Sequence, residues 1–243
     1  AKDYSEDLFQ STKVFAIGIS GIGLFLAVTI ILAWVTIDQV DQRTRQDTKT
    51  DLNNALNSTQ NSLRMWVDSN KGSLAQLLIE PELLKLTKVL LALPRIKNVL
   101  VKSEAQELLR NFFKTRLEVS NKGGFFVIAP DLISIASRRD TSVGTANLIA
   151  LQRRDLVKRV FRGEIVFVPP IYSDISFEKE LGGKNMSEPT MFFVGPLRNN
   201  HGKIIAAVSI RLDPFKNFTR LTQGGRIGET GETYAFSKQG YLY

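Results

Sequence analysis

From Val14 to Ile37 the chain carries 24 consecutive residues without a charged side chain, bounded by Lys13 and Asp38. Only the hydroxyls of Ser20, Thr29 and Thr36 interrupt its apolar character. At about 1.5 Å of rise per residue, a helix of that length spans the hydrocarbon core of a bilayer. Hydroxyls in such a helix bond back to its own backbone, and Gly18, Gly21 and Gly23 are tolerated there better than in a soluble helix. Trp34 stands near one end, where an interfacial aromatic belongs. A cleaved leader fits less well, because its apolar region has about 7–15 residues and precedes a small-x-small site. Trp34-Val35-Thr36-Ile37 provides no such site. A buried soluble helix would need apolar cover on every side. Residues 14–37 are therefore expected to be a transmembrane helix, with 1–13 as a cytoplasmic tail. The basic residues, Lys2 and Lys13 against Arg43, Arg45 and Lys49, lean slightly against that orientation. Gly23 and Ala27 form a small-xxx-small pair that would let two spans approach.

Beyond the span, composition excludes more than it assigns. With no cysteine, neither a disulfide framework nor a thiol-ligated metal is possible. The single histidine, His201, lies in Asn199-Asn200-His201-Gly202, which reads as a turn between two strands. No nucleophile, base and orienting group stand together, so no catalytic residue, metal or cofactor is expected. The run Gly224-Gly225-Arg226-Ile227-Gly228 lacks the ending of a phosphate loop and the spacing of a dinucleotide fingerprint. Nucleic acid is not an expected partner, although a formal net charge of +8 allows an acidic one.

The remaining pattern is α+β. Leu52, Leu56, Leu63, Trp66 or Val67, Leu74 and Leu77 recur at helical steps through a polar stretch, predicting one long helix over 38–80. A polar helix of that length needs support, either from a parallel copy of itself in a homodimer or from its own domain. Pro81 opens a second helix, which Pro94 closes, with Leu83, Leu84, Leu86, Val89, Leu90 and Leu93 as its buried side. A third runs from about Ser103 to about Val119. After the turn cluster Asn121-Lys122-Gly123-Gly124, residues 125–129 and 133–137 predict a hairpin joined at Pro130-Asp131. A helical insert over 146–162 follows, then strands at 164–168 and 171–172, divided by Pro169-Pro170 at an edge or bend. Residues 174–189 read as an exposed loop. Strands over 190–197 and 203–212 pair across the His201 turn, and Asp213-Pro214 starts a final helix reaching about Thr222.

This order resembles the double Cache family of PAS-like extracytoplasmic sensors. The resemblance is carried by Arg162-Gly163-Glu164 with Pro169-Pro170-Ile171-Tyr172-Ser173-Asp174, by Gly195-Pro196-Leu197, and by Ala206-Ala207-Val208-Ser209-Ile210. Its most specific part is Gly228-Glu229-Thr230-Gly231-Glu232-Thr233-Tyr234 with the turn Ser237-Lys238-Gln239-Gly240. It implies a membrane-distal module over 81–223 and the start of a truncated membrane-proximal module over 224–243, with a return helix and an output domain beyond Tyr243. The implied protein is a receptor of the inner (cell) membrane, its sensor domain periplasmic or extracellular, of histidine kinase, cyclase or chemoreceptor type. A membrane-anchored structural or protein-binding module is the alternative.

By the same resemblance, a small-molecule pocket is expected between the sheet and the inserted helix. Its candidate residues are Arg153 and Arg154 on the insert, Tyr172 and Asp174 at the following strand end, Phe193 on a central strand, and Ser209 and Arg211 on the last strand. Adjacent arginines on a helix point about 100° apart, so at most one faces a pocket. Ser209 and Arg211 share one face of their strand while Ile210 and Leu212 take the other, and one of the two faces is expected to be the packed one. In amine-sensing members an aromatic pair follows the arginine of the insert, and an aspartate on the last strand holds the ammonium group. Here Arg153-Arg154-Asp155-Leu156 has no such pair and Ser209 stands at the carboxylate position. An anionic or neutral ligand therefore fits better than an amine.

Overall fold

The structure, a computed structural model, describes residues 3–118, 123–172 and 189–214, with side chains described over 17–117, 123–172 and 189–214. The proposed final helix beyond Pro214, the loop from Asp174 and the second module lie outside the described residues. The chain divides into two compact units, Ala1–Leu56 and Asn57–Tyr243. One helix, α1, is assigned over Asp3–Leu78.

In the first unit the apolar stretch is helical, and its described side chains are exposed, Ile17, Leu24 and Trp34 by 70% or more. It is long and apolar enough to cross a membrane. The two threonine hydroxyls find partners within the helix. Thr29 Oγ1 donates to the Phe25 carbonyl at 2.5 Å and Thr36 Oγ1 to that of Leu32 at 2.7 Å. An apolar solvent thus meets methyl groups, not bare donors.

The second unit is α+β. Helices α2 (Pro81–Ala92), α3 (Lys97–Val101) and α4 (Glu104–Glu118) precede strands β1 (Gly124–Ile128) and β2 (Ser134–Ser137). Short helices α5 (Leu148–Gln152) and α6 (Arg154–Val160) lead to β3 (Val166–Tyr172), β4 (Pro189–Arg198) and β5 (Ile204–Leu212). The five strands form one antiparallel sheet in the order β2-β1-β5-β4-β3. At the β4–β5 turn, Asn199 Oδ1 accepts from the amides of His201 and Lys203, both at 3.0 Å, leaving His201 exposed as expected.

Strand alternation sends each half of the sheet's side chains to a different layer. Phe125, Val127, Met191, Phe193, Leu197, Val208, Ile210 and Leu212 pack beneath α2, α4 and the last turns of α1. Ile128, Phe192, Val194 and Ala207 pack beneath α5 and α6. Both faces are therefore covered, correcting the expectation of a single packed face. Apart from Arg211 and the terminal Arg198, the central strands β5 and β4 are apolar or small on both sides, which only a three-layer arrangement satisfies.

Other corrections have local causes. The two proposed strands around Pro169-Pro170 form one strand, and the extra residue is absorbed in a register shift between Val168 and Ile171. That shift lets Val168 and Ile171 face the same layer although they are three residues apart. β3 lies at the sheet edge, where proline's missing donor is harmless. The insert, expected as one helix over 146–162, is two helices broken at Arg153 (φ −136°, ψ 54°); Ile149 is buried and Leu151 is 70% exposed. On α2, Thr87 is buried and Val89 is turned outward.

At Gly195 the end of α1 packs tightly against the sheet. A Cβ there would stand 2.6 Å from Leu78 Cδ1 and 3.3 Å from Leu74 Cδ2. Gly195→Val is expected to cost about 1–3 kcal/mol by overpacking, measured as a lowered urea midpoint.

Candidate functional site

β5 runs between β1 and β4, and its register decides what surrounds Ser209. Ser209 pairs with Phe126 on one side and Val194 on the other, and Arg211 pairs with Gly124 and Phe192. Directly opposed residues share a sheet face, so Ser209, Arg211, Phe126, Phe192 and Val194 all point toward the α5–α6 layer. The Phe126 and Phe192 rings lie 5.8 Å apart there.

Within this apolar layer Ser209 is fully buried, and its Oγ has no hydrogen-bond partner among the described residues. A buried hydroxyl left unpaired costs about 1–3 kcal/mol. Two strand positions along, Arg211 donates through Nε to Thr190 Oγ1 at 2.6 Å. Thr190 is itself buried, on the same face of β4 as Phe192. The face therefore holds a hydroxyl and an arginine, flanked by two aromatic rings.

The layer above is held by Asn147, which is fully buried. Its Oδ1 accepts from the amides of Ile149 (2.9 Å) and Ala150 (3.4 Å), capping α5, while Nδ2 donates to Ser134 Oγ at 2.9 Å. Gln152 then fastens α5 to the end of β3. Its Nε2 donates to the Tyr172 carbonyl at 2.7 Å and its Oε1 accepts from the Tyr172 amide at 3.1 Å. At the end of α6, Arg159 donates to Glu164 at 2.6 Å and holds that carboxyl below the usual carboxylate range.

The sequence-derived candidates divide accordingly. Ser209 and Arg211 come together. Phe193 does not join them, because alternation turns it to the opposite face, against Trp66 and Phe167; Phe192 takes the place expected of it. Arg153 occupies the break between α5 and α6 and donates through Nε and Nη2 to Asp155, both at 3.3 Å. Arg154 is exposed, as is Tyr172, whose backbone and not its ring is engaged. Asp174 lies outside the described residues. Thr190, Phe192, Asn147 and Gln152 were not singled out in the sequence. Thr190 and Phe192 become visible once the β4–β5 register is known.

The hydrogen bonds from Arg153 hold the Asp155 carboxyl below its ordinary value. A lowered folded-state value stabilises the fold above the unfolded pKa of about 4, and that contribution fades as pH falls through the folded value. Asp155 is mostly exposed, so solvent screens the pair. Asp155→Asn is expected to change stability at pH 7 by less than about 0.5 kcal/mol, with the difference from the parent shrinking in thermal melts as pH falls below about 4.

No family model and no curated protein matches the chain. Among solved structures, it is similar to the ligand-binding domain of the Campylobacter jejuni chemoreceptor Tlp3 in complex with L-valine. The identity is 12% over 82% of this chain and 71% of that one, with a TM-score of 0.48. It is also similar to the ligand-binding domain of the Pseudomonas aeruginosa amino acid chemoreceptor PctC in complex with GABA, at 10% identity over 76% and 69% of the two chains and a TM-score of 0.42. A third is the sensor domain of the V. cholerae histidine kinase DctB, at 15% identity over 71% and 60% and a TM-score of 0.40. These three are sensory or ligand-binding domains of chemoreceptors and of a histidine kinase.

Proposed function

We propose that the chain is the extracytoplasmic sensing region of a membrane-anchored receptor and binds a small molecule on the α5–α6 face of its sheet. The observation that carries this reading is Ser209, a fully buried hydroxyl without a partner among the described residues, on the same face as Arg211. A ligand that accepts from or donates to Oγ would remove the cost of the unpaired group. An apolar lining with a few convergent polar groups is the ordinary composition of a small-molecule site.

Arg211 on the sheet favours an anionic or neutral ligand, since a guanidinium holds a carboxylate through two parallel bonds. Amino acids, named as ligands of some similar structures, would also need a group for their ammonium end. Ser209 supplies no charge there. Signal transfer requires the ligand to bind two conformations unequally. Adjacent Phe192 and Phe193 give β4 one ring on the ligand face and one against Trp66 of α1, so a shift of β4 reaches α1 directly. Thermal melts of the full chain in nanodiscs, with panels of carboxylates, neutral polyols, amines and amino acids, test the ligand class. Carboxylates or neutral compounds should raise Tm; a rise with amines alone would contradict the proposal.

The receptor is further proposed to be a homodimer along α1, where Leu52 and Leu56 are each 55% exposed. The chain has no cysteine of its own, so Leu56→Cys provides a clean probe. Mild oxidation in nanodiscs should yield a disulfide-linked dimer, and an exclusively monomeric product would count against it.

A further inference from the structure

A concave site lies on the opposite side of the sheet from Ser209. Arg110, Phe113, Lys114 and Leu117 recur along α4 at steps of three and four, so they share one helix face. β1 brings Phe125 beneath that face, where its ring stacks on Phe113 with centroids 4.0 Å apart. Arg138, just past the end of β2, completes a half-open cleft of about 270 Å³. Phe113, Leu117 and Phe125 belong to the α2–α4 layer of the core, whereas Ser209 faces the α5–α6 layer. The two sites are separate.

The cleft's charge is unbalanced. Arg110 is paired with Asp140 and also donates through Nε to the Ser137 carbonyl at 3.1 Å. Arg138 spends one donor on the Gly123 carbonyl at 3.1 Å and pairs with no carboxylate among the described residues. Lys114, exposed on α4, likewise has no ion pair among them. Among the described side chains three cations thus face one carboxylate, above two stacked rings of which only 1% and 4% is exposed. A bare inorganic anion would use the cations and leave the rings idle, and a neutral apolar molecule would do the reverse. The volume is at the low end for a ligand site and suits a body the size of one ring.

We infer that this cleft binds a small organic anion, a carboxylate on an apolar body, with Lys114 and Arg138 holding the carboxylate and Phe113 and Phe125 lying beneath the body. Charge-assisted hydrogen bonds give such a pair its strength, and Arg138 can offer two parallel donors. The site is independent of the ligand face around Ser209 and would give the same domain a second chemical input.

Benzoate is the probe, with benzamide as its neutral isostere and inorganic phosphate as the bare anion, titrated calorimetrically into the full chain in nanodiscs of zwitterionic lipid. Benzoate should bind, benzamide and phosphate should bind at least about tenfold more weakly, and K114Q/R138Q should weaken benzoate by about tenfold or more. Both substituted residues are exposed, and circular dichroism together with the melting curve verifies that the variant folds; K114M/R138M provides a second charge-free version. Ser209→Ala should leave benzoate binding unchanged. Equal binding of benzamide or of phosphate, or full benzoate affinity in both charge-free variants, would overturn the proposal. If benzoate binding is lost in Ser209→Ala but kept in K114Q/R138Q, the anion belongs to the α5–α6 face: the cleft proposal fails and the reading above stands.

Discussion

Replacing Phe193 by alanine is expected to destabilise the second unit by about 3–5 kcal/mol, among the largest effects of any single substitution in it. The side chain is 2% exposed and sits in a three-ring cluster, 5.4 Å from Trp66 and 5.1 Å from Phe167 between centroids. Trp66 and Phe167 meet edge-on at 85°. Truncation removes a ring's worth of buried area and leaves a cavity bounded by a helix and two strands, which cannot collapse without parting α1 from the sheet. Trp66→Ala should couple to it by about 0.5–1.5 kcal/mol in a double-mutant cycle, the usual worth of an aromatic pair beyond its area. Urea unfolding followed by Trp66 fluorescence, in a Trp34→Phe background, measures the first effect, and unfolding followed by circular dichroism measures the cycle. A loss below about 1 kcal/mol in Phe193→Ala would mean that α1 is not packed on β4 as described.

The second large effect is expected at Asn147. Asn147→Leu keeps a similar volume but removes the acceptor for two α5 amides and the donor to Ser134 Oγ. A lost helix cap alone costs about 0.5–2 kcal/mol, and a newly unpaired buried group about 1–3. The sum is expected near 2–4 kcal/mol, since α5 has only five residues and little propensity to hold it without its cap. Asn147→Asp keeps the acceptor and should recover part of the loss at low pH, where the carboxyl is protonated and can donate to Ser134. Melting curves at pH 4 and pH 7 separate the two variants, and an Asn147→Leu loss under about 1 kcal/mol would show that the network contributes nothing to holding the layer.

The elements were legible where one period dominates. α2, α4 and the strands of the β4–β5 pair lie close to where spacing put them, because each has a continuous apolar stripe bounded by proline, glycine or a turn. Three features were hidden for physical reasons. The break at Arg153 has neither proline nor glycine and is imposed by the Gln152 clamp on Tyr172, a contact 20 residues away. The burial of both sheet faces follows from strand order, which local pattern does not encode. Phe192 and Phe193 are adjacent and chemically identical, so the sequence alone leaves open which one turns toward Ser209; only the pairing of Phe192 with Arg211 decides. The candidate site was therefore half legible. Ser209 and Arg211 were readable as sharing one strand face, but not the absence of a partner for Ser209.

That absence is the centre of the functional reading, and Ser209→Ala tests it most directly. In the ligand-free chain the variant should be as stable as the parent or more stable by up to about 1 kcal/mol, because it deletes a buried group that bonds to nothing. With the compound that gives the parent its largest rise in Tm, the variant's rise should fall to less than half. A variant that is clearly destabilised when empty, yet keeps the full ligand-dependent rise, would show that the hydroxyl serves the fold and not a ligand.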